Sequence, residues 1–154
     1  MFLNKNGNEL VADGIESYDD VNARIWDTPA DVFIPCAGSR MISKEQLDRM
    51  ITAGVKVISA GANVPFADPE IFFGSIAEQA DESIALIPDF IANCGMARVF
   101  AYLMSNDLKK LEDHEIFEDT STTIKDALEA TYNVNNQTSG LAKSAFEIAL
   151  NQLI

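Results

Sequence analysis

Val55-Lys56-Val57-Ile58-Ser59-Ala60-Gly61-Ala62-Asn63-Val64-Pro65-Phe66 is an apolar, β-branched run that ends in a loop of small residues. Such a run suits a strand covered on both faces. The pattern occurs on either side of it as well. Upstream, Asp31-Val32-Phe33-Ile34-Pro35 leads into Cys36-Ala37-Gly38-Ser39, and downstream, Ile84-Ala85-Leu86-Ile87-Pro88 leads into Asp89 and the residues up to Gly95. An amphipathic segment follows each loop. The first opens at Ser43 with Gln46 three residues on, a capping-box pattern, carries Leu47, Met50 and Ile51 on its apolar face, and stops at Gly54. The second is expected to open with Asp68 as N-cap and Pro69 at the first helical position, with Ile71, Phe72 and Ile76 as its apolar side. The third is expected over residues 96–104, with Val99, Phe100 and Leu103 turned to the core.

Three strand–loop–helix units in series predict an α/β fold, a Rossmann-like parallel sheet with helices on both faces. Right-handed crossovers bring all three strand ends to one edge of that sheet, which is where ligands of open α/β folds bind. The loops at 36–39, 60–66 and 89–95 therefore converge on one candidate site. Residues 1–29 form a lead-in: a hairpin at Asn6-Gly7, flanked by Phe2-Leu3 and Glu9-Leu10-Val11, then a helix capped by Ser17 and stopped at Thr28-Pro29. Residues 105–154 close the chain with a helical pair, near 123–132 and 139–153, joined by an Asn-rich loop.

Composition narrows the function. The chain of 154 residues is 47% hydrophobic, enough for one domain with a core. With 24 acidic against 11 basic residues its formal charge is −13, which disfavours nucleic acid and anionic membranes as partners. No apolar run is long enough to span a bilayer, and Met1-Phe2-Leu3-Asn4-Lys5 lacks the features of a secretory signal, so a cytoplasmic location is expected. Cys36 and Cys94 form no C-x-x-C pair and read as reduced, packed thiols. His114, the one histidine, lies in a polar run and reads as solvated. No metal site is expected.

The loops carry the chemistry. Gly61-Ala62-Asn63 lets a ligand approach the backbone and offers one amide side chain, and Pro88-Asp89-Phe90-Ile91-Ala92-Asn93-Cys94-Gly95 repeats the idea. The plainer reading of either Asn is a turn cap. Taken in order, however, these segments resemble the glutamate, leucine, phenylalanine and valine dehydrogenase family. Ala30-Asp31-Val32-Phe33-Ile34-Pro35-Cys36-Ala37 is similar to that family's A-D-x-x-x-P-x-A strand. Gly61 to Pro65 is similar to its G-A-N-x-P segment, and Pro88 to Gly95 to its P-D-x-x-A-N-x-G segment. Gly140-Leu141-Ala142-Lys143-Ser144-Ala145-Phe146-Glu147-Ile148-Ala149 resembles its closing helix. The likeness is good over residues 30–104 and weaker elsewhere.

The resemblance implies an NAD or NADP cofactor and reversible oxidative deamination of an L-amino acid to a 2-oxo acid and ammonia. It implies that Pro35, Cys36 and Ala37 line the adenosine side. Gly61, Ala62 and Asn63 would lie along the cofactor, with Asn63 on a ribose, and Asn93 would stand between the nicotinamide ribose and the substrate. Departures from the family pattern matter as much. Met96 replaces a second Gly after the Asn93 motif, Phe66-Ala67 replaces two threonines, and Phe100 stands where glutamate-specific members carry a Ser that holds the substrate carboxylate. A phenyl ring cannot donate a hydrogen bond, so Met96 and Phe100 point to a substrate other than glutamate.

A dinucleotide-binding domain opens with a strand, G-x-G-x-x-G and a helix. This sequence holds no such fingerprint, and the family's catalytic Lys and Asp belong to an N-terminal domain without counterpart here. The expectation is the second half of a doubly wound sheet, inactive on its own, with a bare strand edge near residues 32–35 that favours a homo-oligomer. Two other readings compete: a non-catalytic nucleotide-binding or regulatory module derived from such a domain, and a receiver-like α/β domain with a phospho-acceptor. The latter wants acidic residues after early strands, whereas Asp31 precedes its strand.

Overall fold

The computed structural model describes residues 4–7, 9–11, 14–71, 73–105 and 112–152. β1 (Asn4–Asn6) and β2 (Glu9–Val11) pair antiparallel around Gly7, whose φ of 63° is the left-handed conformation the turn demands. Phe2 and Leu3 lie outside the described residues. Ser17 caps α1 (Tyr18–Arg24) by accepting from the Asp20 amide, and a 3-10 turn at Ile25–Asp27 buries Trp26.

β3 (Val32–Phe33), β4 (Val57–Ser59) and β5 (Ala85–Ile87) form one parallel sheet in the order β3-β4-β5. Val32 and Phe33 face Val57 and Ile58, and Val57 to Ser59 face Ala85 to Ile87. α2 (Lys44–Thr52) has the expected capping box, with both the Ser43 and Gln46 side chains engaged. Leu47 and Met50 of α2 meet Ile58 of the central strand in the core, each at most 1% exposed, with Ile42, Phe66, Leu86 and Trp26 packed around them. This is the Rossmann-like arrangement of parallel strands and crossover helices.

The second crossover differs from the expectation. The helix begins at Ser75, not at Pro69: α3 spans Ser75–Ser83. Asp68 is still its cap, but from a distance. The buried carboxylate accepts from the amides of Ile76 (2.8 Å) and Ala77 (2.9 Å), across the irregular stretch that precedes the helix. Ile71 lies on that stretch, 64% exposed, not on a helix face. Phe72 falls outside the described residues. A Cβ on Gly74 would stand 2.3 Å from the Asp68 Cβ, so only glycine lets the cap close.

After β5, α4 (Asp89–Ala92) is the single helical turn within the third loop, and α5 (Gly95–Ser105) follows. Phe100 was expected among the core residues of α5 but is 59% exposed, because Val99 and Leu103 occupy the inner face. α6 (Asp113–Val134) is 22 residues long, more than twice the expected span, because a Glu112–Glu115 capping box starts it well before the apolar pattern is visible. His114 lies exposed in its first turn. α7 (Leu141–Asn151) closes the described chain, and Leu153 lies beyond it. Asp81, buried at the end of α3, accepts from the amides of Ala142 (2.8 Å) and Lys143 (3.0 Å) and so fixes α7 to α3. Among the described residues, no helix is long and apolar enough to cross a membrane.

Candidate functional site

The three strands end side by side, and the first and second loops are stitched together by main-chain hydrogen bonds. The Arg40 amide donates to the Val64 carbonyl (2.7 Å), and the Met41 and Ile42 amides donate to the Pro65 carbonyl (3.0 Å each). The Ala67 amide returns a bond to Ile42 (2.8 Å), which makes a one-residue parallel bridge between Ile42 and Phe66. Gly61 lies directly against the first loop. A Cβ there would approach Cys36 Sγ to 2.6 Å and the Pro35 carbonyl to 3.3 Å, so the absence of a side chain permits the contact.

The second and third loops meet through side chains. Asn93 Nδ2 donates to Asn63 Oδ1 at 2.5 Å. Both residues are exposed at the carboxyl edge of the sheet. Asn93 is also the C-cap of α4, its main-chain amide donating to the Asp89 carbonyl at 2.7 Å, while its side chain reaches across to Asn63. Among the described residues, the pairing leaves the Asn63 Nδ2 donors and the Asn93 Oδ1 acceptor uncommitted. That set of one donor group and one acceptor is what a ribose diol engages.

Asp89 is the residue that sequence reasoning passed over. Its Oδ2 accepts from the Val64 amide (2.7 Å) and its Oδ1 from the Phe90 amide (2.8 Å). Val64 sits at φ 46°, an unusual conformation for a β-branched residue. Asp89 stood within a quoted motif, but nothing in its spacing announced a partner 25 positions upstream.

The remaining expected residues separate into two groups. Pro35, Cys36 and Ala37 border an apolar cavity of about 270 Å³ whose other walls include Tyr18, Trp26 and Met41. Cys36 and Ala37 are exposed, while the side chain of Ala62, 7% exposed, belongs to the core beneath the loop. Met96 and Phe100, 67% and 59% exposed, lie one helical turn apart on α5 and form an apolar strip with Met104. Arg98 on the same helix grips Asp119 of α6 with two bonds, at 2.6 and 2.7 Å. That hydrogen-bonded guanidinium holds the Asp119 carboxyl below its ordinary value. Cys36 and Cys94 are both free thiols.

Comparison with known proteins agrees with the fold. The sequence profile of the Glutamate/Leucine/Phenylalanine/Valine dehydrogenase family matches residues 4–154, so the match includes the lead-in and closing segments whose likeness looked weak. The NADP-specific glutamate dehydrogenase of Neurospora crassa is 29% identical over 83 residues, which are 53% of this chain and 18% of that protein. A solved glutamate dehydrogenase superposes with a TM-score of 0.61 at 17% identity, over 90% of this chain and 34% of that one. The L-tryptophan dehydrogenase of Nostoc punctiforme superposes with a TM-score of 0.59 at 20% identity, over 83% of this chain and 36% of that one. The chain thus spans under a fifth of that curated relative and about a third of these structures.

Proposed function

The chain belongs to the Glutamate/Leucine/Phenylalanine/Valine dehydrogenase family, and from that premise we propose that it is the cofactor-facing part of an NAD- or NADP-dependent amino-acid dehydrogenase. The observation that carries the reading is the Asn63–Asn93 amide pair at the carboxyl edge of the sheet. Its unused donors and acceptor suit the hydroxyls of a nicotinamide ribose, and the cavity beside Pro35, Cys36 and Ala37 is large enough for a flat adenine ring. The fit covers the nucleoside portions only. A sequence without G-x-G-x-x-G offers no matching cradle for the pyrophosphate.

Bound there, a nicotinamide supplies hydride acceptance from the α-carbon of an amino acid. The residues of this chain would orient the ribose, and α5 would form one wall for the substrate side chain. Met96 and Phe100 present carbon to that space, which suits an apolar amino acid and disfavours glutamate. Acid–base groups for the deamination come from outside this sequence, so turnover by these residues alone is not expected.

The test is a titration of the chain with NADH and NADPH, followed by dinucleotide fluorescence and by the side-chain amide signals of Asn63 and Asn93. One of the dinucleotides is expected to move both amide signals, and Asn63→Ala to weaken that binding by about tenfold, the loss of roughly one good hydrogen bond. Amide signals that stay fixed up to millimolar dinucleotide would remove the cofactor role. In the complete enzyme, Phe100→Ser is expected to raise kcat/KM for glutamate relative to leucine. A ratio unmoved by that change would detach Phe100 from specificity.

A further inference from the structure

We propose that Asp89 is a positioning residue that sets the Asn63–Asn93 pair, an inference that rests on reading the pair as the cofactor's ribose ligands. Asp89 reaches both members of the pair by separate routes. Through its side chain it receives the amide of Val64, the residue that follows Asn63, at 2.7 Å. Through its main-chain carbonyl it receives the amide of Asn93 at 2.7 Å. One residue therefore fixes the backbone at both ends of the bridge between the second and third loops. The second carboxylate oxygen holds the Phe90 amide at 2.8 Å, which fixes the carboxylate itself.

The left-handed backbone at Val64 shows what the carboxylate does. A β-branched residue at φ 46° is disfavoured on its own. It persists when the surroundings over-determine it. Here Asp89 Oδ2 holds the Val64 amide on one side, and the Arg40 amide holds its carbonyl at 2.7 Å on the other. Release of the Asp89 bond lets Val64 relax toward an extended conformation. That rotates the peptide after Asn63 and draws its amide away from Asn93. The neighbouring Pro65 has no amide to donate, and its carbonyl is already held by the Met41 and Ile42 amides at 3.0 Å each, so the Val64 amide is the donor through which this stretch is tied to the third loop.

A general structural role for Asp89 would not be relieved by a change at position 64. If Asp89 serves to hold Val64 left-handed, glycine at position 64 makes Asp89 dispensable, because glycine adopts that conformation without a restraint. Asp89→Ala is expected to shift the Asn93 side-chain amide signal, as its bond to Asn63 is lost, and to weaken NADH binding by about tenfold. Asp89→Ala combined with Val64→Gly is expected to restore both. Asp89→Asn keeps one acceptor oxygen and gives an intermediate loss, and it carries the test if the alanine variant fails to fold by circular dichroism. An Asn93 amide signal unchanged in Asp89→Ala or Asp89→Asn would overturn the proposal. So would a folded double variant that recovers neither readout. A parent chain that binds no NADH overturns the cofactor reading instead, and the amide signals then still decide the role of Asp89.

Discussion

Gly61 and Gly95 both sit in motif loops beside the same sheet edge, yet alanine should have opposite effects at the two. At Gly61 an added methyl group meets Cys36 Sγ at 2.6 Å and the Pro35 carbonyl at 3.3 Å, so both the side chain and the main chain of the first loop would have to shift. Gly61→Ala is expected to destabilise the chain by about 1–3 kcal/mol, in line with other cases of overpacking. At Gly95 the nearest atom is Thr120 Cγ2 at 3.8 Å, ordinary contact, and the residue begins α5. Gly95→Ala is expected to be neutral or to stabilise by roughly 0.5–1 kcal/mol through a less flexible unfolded chain. Urea melts of the two variants check the pair. Equal destabilisation would mean that the first two loops are not packed as described. Both glycines stand out in the sequence, because they lie in the small-residue segments that follow apolar strands. Their ranking does not, because it depends on Cys36 and Thr120, residues far away in sequence that only the fold brings near.

At the scale of elements, two aspartates organise the half of the molecule behind the site. Asp68 caps α3 at its start, and Asp81, near the end of the same helix, caps α7. Each carboxylate is 3% exposed, and each takes two amides that would otherwise be orphaned donors at a helix N-terminus. The Gly140 amide adds a third bond to the Asp81 carbonyl at 2.7 Å. Asp81→Ala would leave the Ala142 and Lys143 amides without partners and is expected to cost about 1–3 kcal/mol. The loss should be local first: hydrogen exchange in α7 should accelerate ahead of exchange in β4. Uniform acceleration across both would show that α7 has no separate opening and that Asp81 only contributes to global stability. The strands and α2 could be read from the sequence because apolar runs, small loops and a local capping box lie within a few residues of each other. The start of α3 could not, since Asp68 lies six positions before the cap residue Gly74 and acts on the helix through space, and the length of α6 was hidden by a polar first half. The candidate site shows the same division. Asn63 and Asn93 declare themselves by motif, whereas Asp89 acts through a bond to Val64 that no local pattern encodes.

The whole molecule sets an apolar strand edge against a strong negative charge. β3 pairs with β4 on one side and, among the described residues, with nothing on the other. Val32 is 49% and Ile34 58% exposed along that edge, and the cavity of about 270 Å³ beside it adds the apolar surface of Tyr18, Val21 and Met41. An unpaired edge with exposed apolar side chains invites a second strand. A formal charge of −13 opposes the approach of another copy, over distances set by the Debye length. That length is about 30 Å at 0.01 M salt and about 8 Å at 0.15 M, so repulsion dominates in dilute buffer and recedes at physiological ionic strength. The chain is therefore expected to be monomeric at low salt and to associate as salt and protein concentration rise. Light scattering over a concentration series at both salt levels checks this. Val32→Lys, which places a charge on the edge without touching the core, is expected to suppress the association. A parent chain that stays monomeric at high concentration in both buffers would show that the β3 edge is protected by something other than charge. Association that persists undiminished in Val32→Lys would move the contact to another face, for which the exposed strip of Met96, Phe100 and Met104 on α5 is the next surface to substitute.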